Sequence, residues 1–332
     1  MEDNEHKMIS RRKLLKWGTL AGSGLFMAKW WGMGQDAVNV RDYASSGLRD
    51  GIAIVHGNAG SDEEESDVVR KMTRAAVDAL GGMEKLVQSG QTVYIKPNIA
   101  WMKPPEMGAN TNPWVVAALV EMCRNAGASH VRVMDHTISP NPEPSYAMSG
   151  IADAAGKAGA DILTVEEDRF REMPIPDALA LEQWYFYEDF ISPGDCDVLI
   201  NVPVLKDHGT SRLTIGMKNV FGMVGGERGD LHRNIHRKMA DLNRLIRIDL
   251  TVMDAYRVMR DNGPTGGRPQ DVDNSRDGAR RIVAGTDVVA VDAYGASMFD
   301  YSPEDVGFIK YGAASGVGRS DWENMVVEEN TV

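Results

Sequence analysis

The run DCDVLINVPV, residues 195–204, decides the fold. From position 198 to 204 every residue except Asn201 is apolar. A strand with one face in water alternates apolar and polar residues, whereas a strand covered on both faces has no such need. A short apolar run bounded by Gly194-Asp195 ahead and a charged stretch behind therefore predicts a central strand of a parallel sheet. Outward from it the chain alternates. GIAIVHG (51–57), QTVYIKPNI (91–99), HVRVMDH (130–136), DILTVEE (161–167), IDLTVMDAY (248–256) and RRIVAGT (280–286) read as further strands. EQWYFYEDF (182–190) reads as an edge strand or hairpin arm.

Helices fill the gaps. The stretch 61–82 has an acidic start, apolar residues at helical spacing and a glycine stop. Residues 110–128 carry Asn112 as a cap and Pro113 in the first turn, a favoured start. Residues 145–160, 236–247, 287–299 and 302–318 also read as helices, and TIGMKNVFGMV (214–224) as the start of one. The loops near 140–144 and 261–278 read as loops within one domain. Strand–helix alternation predicts an α/β fold: a mostly parallel or mixed sheet with helices on both faces, a single main domain over 38–332.

Composition narrows the function. The chain has 332 residues and a net charge of −12 at pH 7. Phosphate-backbone binding needs a basic face, so nucleic acid is excluded as a main partner, and anionic lipid is disfavoured for the same reason. There are two cysteines, Cys123 and Cys196. Two cannot ligate a four-cysteine iron–sulfur cluster, so an intrinsic cluster is not expected. Both read as buried small hydrophobes, with a disulfide left open.

Residues 10–16 read SRRKLLK and are followed by a 12-residue mildly apolar stretch, 17–28. A paired arginine ahead of a short apolar region is the pattern of a twin-arginine export signal. The stretch is too short to span a bilayer unaided. The alternative is an amphipathic surface helix with two chance arginines. The signal predicts the twin-arginine translocase as a partner and a periplasmic or extracytoplasmic location. No clear cleavage site precedes Asp36, so an uncleaved membrane anchor over 1–37 stays open.

Ligands of open α/β sheets gather at the carboxyl ends of the strands. Here those ends are Lys96-Pro97-Asn98, Asp135-His136-Thr137, Lys206-Asp207-His208 and Asp254. The stretch LKDHGTSRLTIGMKN (205–219) adds Arg212, Lys218 and Asn219, with Gly209 and Gly216 allowing close backbone approach. Amides from 215 to 220 open a helix, whose N-terminus favours an anion. Together these residues predict a cradle for a small carboxylate or a phosphate. Lys96, Asn98, Lys206, Arg212, Asn219 and Asp254 are its candidate binding residues. His136, His208 and Lys218 are its candidate catalytic residues, one histidine serving as general base near neutral pH. His232 and His236 stand at i, i+4, which with Asp135 suggests a metal set. The P-loop order G-x-x-x-x-G-K-[ST], the dinucleotide G-x-G-x-x-G after the first strand and the hydrolase G-x-S-x-G are all missing.

VYIKPNI, INVPVLKDH, TIGMKNVFGMV, MDAYRVMRDNGPTGG and AGTDVVAVDAYGA, in this order over roughly 90–300, resemble the prokaryotic family called domain of unknown function 362. That family has no generally established reaction. Many members carry a cluster-binding ferredoxin-like module, whose cysteines this chain lacks. A fainter resemblance is to the N-terminal domain of lactate racemase, which uses a nickel-pincer nucleotide. It implies matching roles for His136, for His208 and Lys218 ten residues apart, and for His232 or His236. Ile138, GMKN and FGMV depart from that family's pattern.

The expectation is an exported enzyme that binds a small anionic substrate, or a metal or phosphate-bearing organic cofactor, at the strand ends. Its reaction is unassigned, with isomerase- or racemase-like and redox-associated chemistry both open. The alternative is a non-catalytic cofactor-delivery or maturation module for an exported redox complex, working with a redox partner subunit.

Overall fold

A computed structural model of the chain describes residues 47–57, 64–192, 194–275 and 277–332. The segment 1–37 and its twin-arginine pattern lie outside the described residues. The first half runs β1 (Ile52–His56), α1 (Glu65–Ala79), β2 (Thr92–Pro97), α2 (Pro113–Asn125), β3 (His130–Met134), α3 (Glu143–Met148), α4 (Ile151–Lys157) and β4 (Asp161–Leu163). Next come β5 (Phe170–Pro174), β6 (Gln183–Tyr187), α5 (Glu188–Ile191), β7 (Val198–Val202), β8 (Val204–His208), β9 (Arg212–Thr214), α6 (Gly216–Asn219) and α7 (Ile235–Leu245). The chain closes with β10 (Leu250–Met259), β11 (Val272–Asp273), β12 (Arg281–Gly285), α8 (Val288–Ser297), α9 (Gly307–Ala314) and β13 (Val326–Thr331).

The main sheet is mixed, in the order β13-β1-β12-β10-β7-β2-β3-β4. From β10 to β4 neighbours are parallel. The strand of the apolar run, β7, lies between β10 and β2 and is buried throughout. β12 runs antiparallel to both its neighbours, β10 and β1.

Side chains on alternate residues of a strand point to opposite faces, and two cores follow from that. Val93 and Ile95 of β2, Val252 of β10 and Ile282 of β12 join α1 and α2 on one face. Ile52 and Ile54 of β1 and Met253 and Ala255 of β10 meet α7, α8 and α9 on the other. The hairpin β5–β6 and α5 pack a third cluster around Tyr94 and Leu199.

Five features differ from expectation. The 145–160 helix is two helices, α3 and α4, because Gly150 takes a left-handed φ of 73° between them. Asp254 is not at a strand end: β10 runs on to Met259. Lys206-Asp207-His208 is not an exit loop either. The chain bends at Pro203 and continues as β8, which pairs with β10 and folds back on β9. The Ile215–Val220 amides do not open an anion-binding helix. α6 is one turn long, and its first amides, on Gly216 and Met217, are taken by Asp292 of α8 at 2.7 and 2.8 Å. β13, finally, adds a parallel edge strand beside β1 that the sequence did not announce.

Candidate anion-binding site

The rim above β2, β3 and β7 gathers four cations around one buried carboxylate. Lys96, at the end of β2, is 1% exposed and lies 2.8 Å from Asp135 Oδ1, just past the end of β3. Its ammonium also donates to Asn219 Oδ1 at 2.8 Å. Asp135 Oδ2 accepts the Ile99 amide at 2.6 Å, so both carboxylate oxygens have partners. The pair is closed over by Gly222. A Cβ there would fall 1.8 Å from Asp135 Oδ1 and 2.6 Å from Lys96 Nζ, so only glycine fits.

Three asparagines join this pair to the β8 side. Asn219 Nδ2 donates to Lys96 O and to Asn201 Oδ1, and Asn201 Nδ2 donates to Gly216 O. Asn98 Nδ2 donates to Asn219 Oδ1 at 3.0 Å, and Asn98 Oδ1 accepts from Lys206 Nζ at 3.0 Å. Lys206 also donates to Ala109 O. It is 1% exposed and makes no ion pair among the described residues, and burial pushes its amine well below the ordinary lysine value.

Lys218, on α6, is handled differently. Its Nζ sits 4.9 Å from the centre of the Phe221 ring. Among the described residues it has no hydrogen-bond acceptor and no carboxylate partner. The residue as a whole is half-buried. Burial first, then the charges of Lys96 and Arg228, bring its amine down to about 8. Arg228 donates to the carbonyls of His136 and Thr137.

The histidines divide by tautomer. His136 Nδ1 lies 2.9 Å from the Val224 carbonyl oxygen, which can only accept, so Nδ1 carries the hydrogen. Its Nε2 keeps the lone pair, 3.7 Å from Glu167. His208 Nδ1 instead receives the amides of Thr210 at 3.1 Å and Ser211 at 3.3 Å, so its hydrogen is on Nε2. Burial and nearby Lys218, His232 and Lys206 drive His208 down to about 3. It is therefore neutral at working pH with its one donor on Nε2, whereas His136 has the geometry of a proton acceptor. His232 is exposed and stacks on His208 with centroids 6.2 Å apart.

The structure thus brings together Lys96, Asn98, Asp135, His136, Lys206, His208, Lys218 and Asn219. It leaves out Arg212 and Asp254. Arg212 is exposed, adopts a left-handed φ of 66° and lies over the Tyr301 ring at 5.1 Å. Asp254 is buried and accepts the amides of Asn112 at 2.7 Å and Tyr256 at 3.0 Å, which holds the start of α2. Burial raises its carboxyl to about 6. The metal set is not assembled: Asp135 is spent on Lys96, and His236 stacks on Phe308 at 6.0 Å. No three His, Cys, Asp or Glu among the described residues can hold a metal ion.

Sequence reasoning missed Arg228, Asn201, Gly222 and Asp292. Two carried a signal: Asn201 is the lone polar residue in the decisive apolar run, and Asp292 is the lone acid inside VVAVDAYGA (288–296). Each is 0% exposed and hydrogen-bonded to the backbone of α6. Arg228 and Gly222 carried none, since loops rich in glycine tolerate both anywhere.

The family model described as domain of unknown function (DUF362) matches residues 93–297, more than half of the chain. The chain belongs to the DUF362 family. A thylakoid-associated protein of Synechocystis is 27% identical over 249 residues, covering 70% of each chain. A crystal structure of a Thermotoga maritima protein overlaps with a TM-score of 0.37 at 11% identity, over 61% of this chain and 53% of that one. Among the described residues of this DUF362 protein, no helix is long and apolar enough to cross a membrane.

Proposed function

We propose that this DUF362 chain is an exported enzyme that binds a small organic anion, a carboxylate or a phosphate group, between Lys218, Arg228 and the Lys96–Asp135 pair. The observation that carries it is Lys218. A half-buried ammonium beside two further cations, without a carboxylate of its own, is costly unless an anion arrives to balance it. His136 would take a proton from the bound anion through Nε2, and His208 would donate a hydrogen bond to developing negative charge. That division suits proton-transfer chemistry of the isomerase kind. The name of the Synechocystis relative, thylakoid-associated, agrees with a place at or beyond a membrane, as the arginine pair at 11–12 does.

Titration calorimetry with oxalate and with phosphate tests the reading. One of the two should bind in the millimolar range or tighter, weakening at least tenfold in Lys218→Met, the loss of about 1.4 kcal/mol expected of a charge-assisted contact. Heat flow no greater than buffer for both anions would overturn it.

A further inference from the structure

We propose that Lys218 is a carbonyl-reactive amine and that the anion this site takes is a 2-oxo acid. The carboxylate would rest against Arg228, and the carbonyl carbon would form an imine with Lys218 Nζ. This rests on the anion-site reading above and narrows it to a substrate class.

The cluster holds three buried or half-buried lysines, and only one is free to react. Lys96 is engaged by Asp135 and Asn219. Lys206 is 1% exposed and held by Asn98 and Ala109. Lys218 Nζ lies over the Phe221 ring and, among the described residues, has no hydrogen-bond acceptor and no carboxylate partner. An amine becomes a nucleophile when desolvation and neighbouring cations disfavour its ammonium form. Burial of the amine supplies the desolvation, and Lys96 and Arg228 supply the cations. The Phe221 ring face works the other way, since it attracts the ammonium, and the net direction is set by the first two. With its amine at about 8, a useful fraction is neutral at mildly basic pH. The same cations demand a carboxylate on the substrate, which separates a 2-oxo acid from a plain aldehyde.

The step balances without any redox partner. The neutral Lys218 amine adds to the carbonyl carbon to give a carbinolamine. The carbon–oxygen bond then breaks, and both amine hydrogens leave with that oxygen as water. His208, within electrostatic reach of Lys218, keeps its Nε2 hydrogen throughout and offers the departing oxygen a hydrogen bond rather than a proton. Its own Nδ1 stays tied to two amides, so it cannot quench the amine.

The test is reductive trapping on the full chain. The protein is incubated with pyruvate, glyoxylate or 2-oxoglutarate and cyanoborohydride, then weighed intact and mapped by peptide. The expected result is one adduct with the mass of the acid less one oxygen, on the peptide that holds Lys218. It should form on the order of tenfold faster than at surface lysines. Oxalate should protect the site, acetaldehyde should show no such preference, and Lys218→Met, with its fold checked by thermal melting, should lose the adduct. Binding of oxalate without any Lys218 adduct, or an adduct spread evenly over surface lysines, overturns this inference and leaves the anion site standing. Absence of oxalate and phosphate binding overturns both.

Discussion

The two walls of the cluster use the same residue types to opposite ends. On the β2–β3 wall, Lys96 and Asp135 neutralise each other, and Asn219 and the Ile99 amide are tied to them. On the α6 wall, Lys218 and Arg228 have no carboxylate hydrogen-bonded to them among the described residues, and His208 is held neutral. The first wall is a closed charge pair whose role is to hold shape. The second leaves Lys218 without a carboxylate partner among the described residues and is where chemistry is expected. Perturbed groups cluster at functional sites because a fold tolerates such cost only where something else requires it.

The largest effect should come from breaking the closed wall. Asp135→Asn leaves a buried ammonium unbalanced and should cost about 3–5 kcal/mol in denaturant unfolding. Gly222→Ala should be damaging too, since its Cβ collides with both members of the pair. A loss under about 1 kcal/mol for Asp135→Asn would place that pair in the range of a solvent-exposed bridge and erase the contrast.

Lys218→Met probes the open wall and should act in the reverse sense. Below pH 8 the lysine is charged in both folded and unfolded chains, and its burial cost is present in full. Between about 8 and the ordinary value of 10.5 the folded chain holds fewer protons than the unfolded one, so wild-type stability rises with pH. The variant should therefore melt higher than wild type at pH 7, and the gap should close as pH climbs through that window. A variant that melts lower at pH 7 would mean that Lys218 is compensated after all.

The smallest effect is spectroscopic. Nitrogen-15 shifts of His208 should report a neutral ring, hydrogen on Nε2, unchanged from pH 5 to 8. His136 should show the other tautomer. A shared tautomer would remove the acid–base division on which the proton-transfer reading depends.

How far the sequence reached depends on what each residue answers to. Asn112 capping α2 and the run at 198–204 becoming a central strand follow from local rules, and both hold. The antiparallel insertion of β12 and the edge strand β13 do not follow from local pattern, because a strand's apolar alternation is the same whichever way its neighbour runs. The site divides likewise. Lys96, Asp135 and His136 follow directly from strands ending in polar residues. Arg228 arrives from a glycine-rich loop that only packing brings to the rim, and Arg212 departs because β9 turns it outward onto Tyr301.

By itself, then, the sequence determined the two-faced sheet, its central strand and the arrival of Lys96, Asp135 and His136 at its carboxyl edge, since these depend on periodicity and chain order. Tertiary structure alone decided which cations are balanced and which are not. A lysine's state is set by what lies within a few ångströms of its nitrogen. For Lys96 that is Asp135, 39 positions along the chain, and for Lys218 it is the face of Phe221.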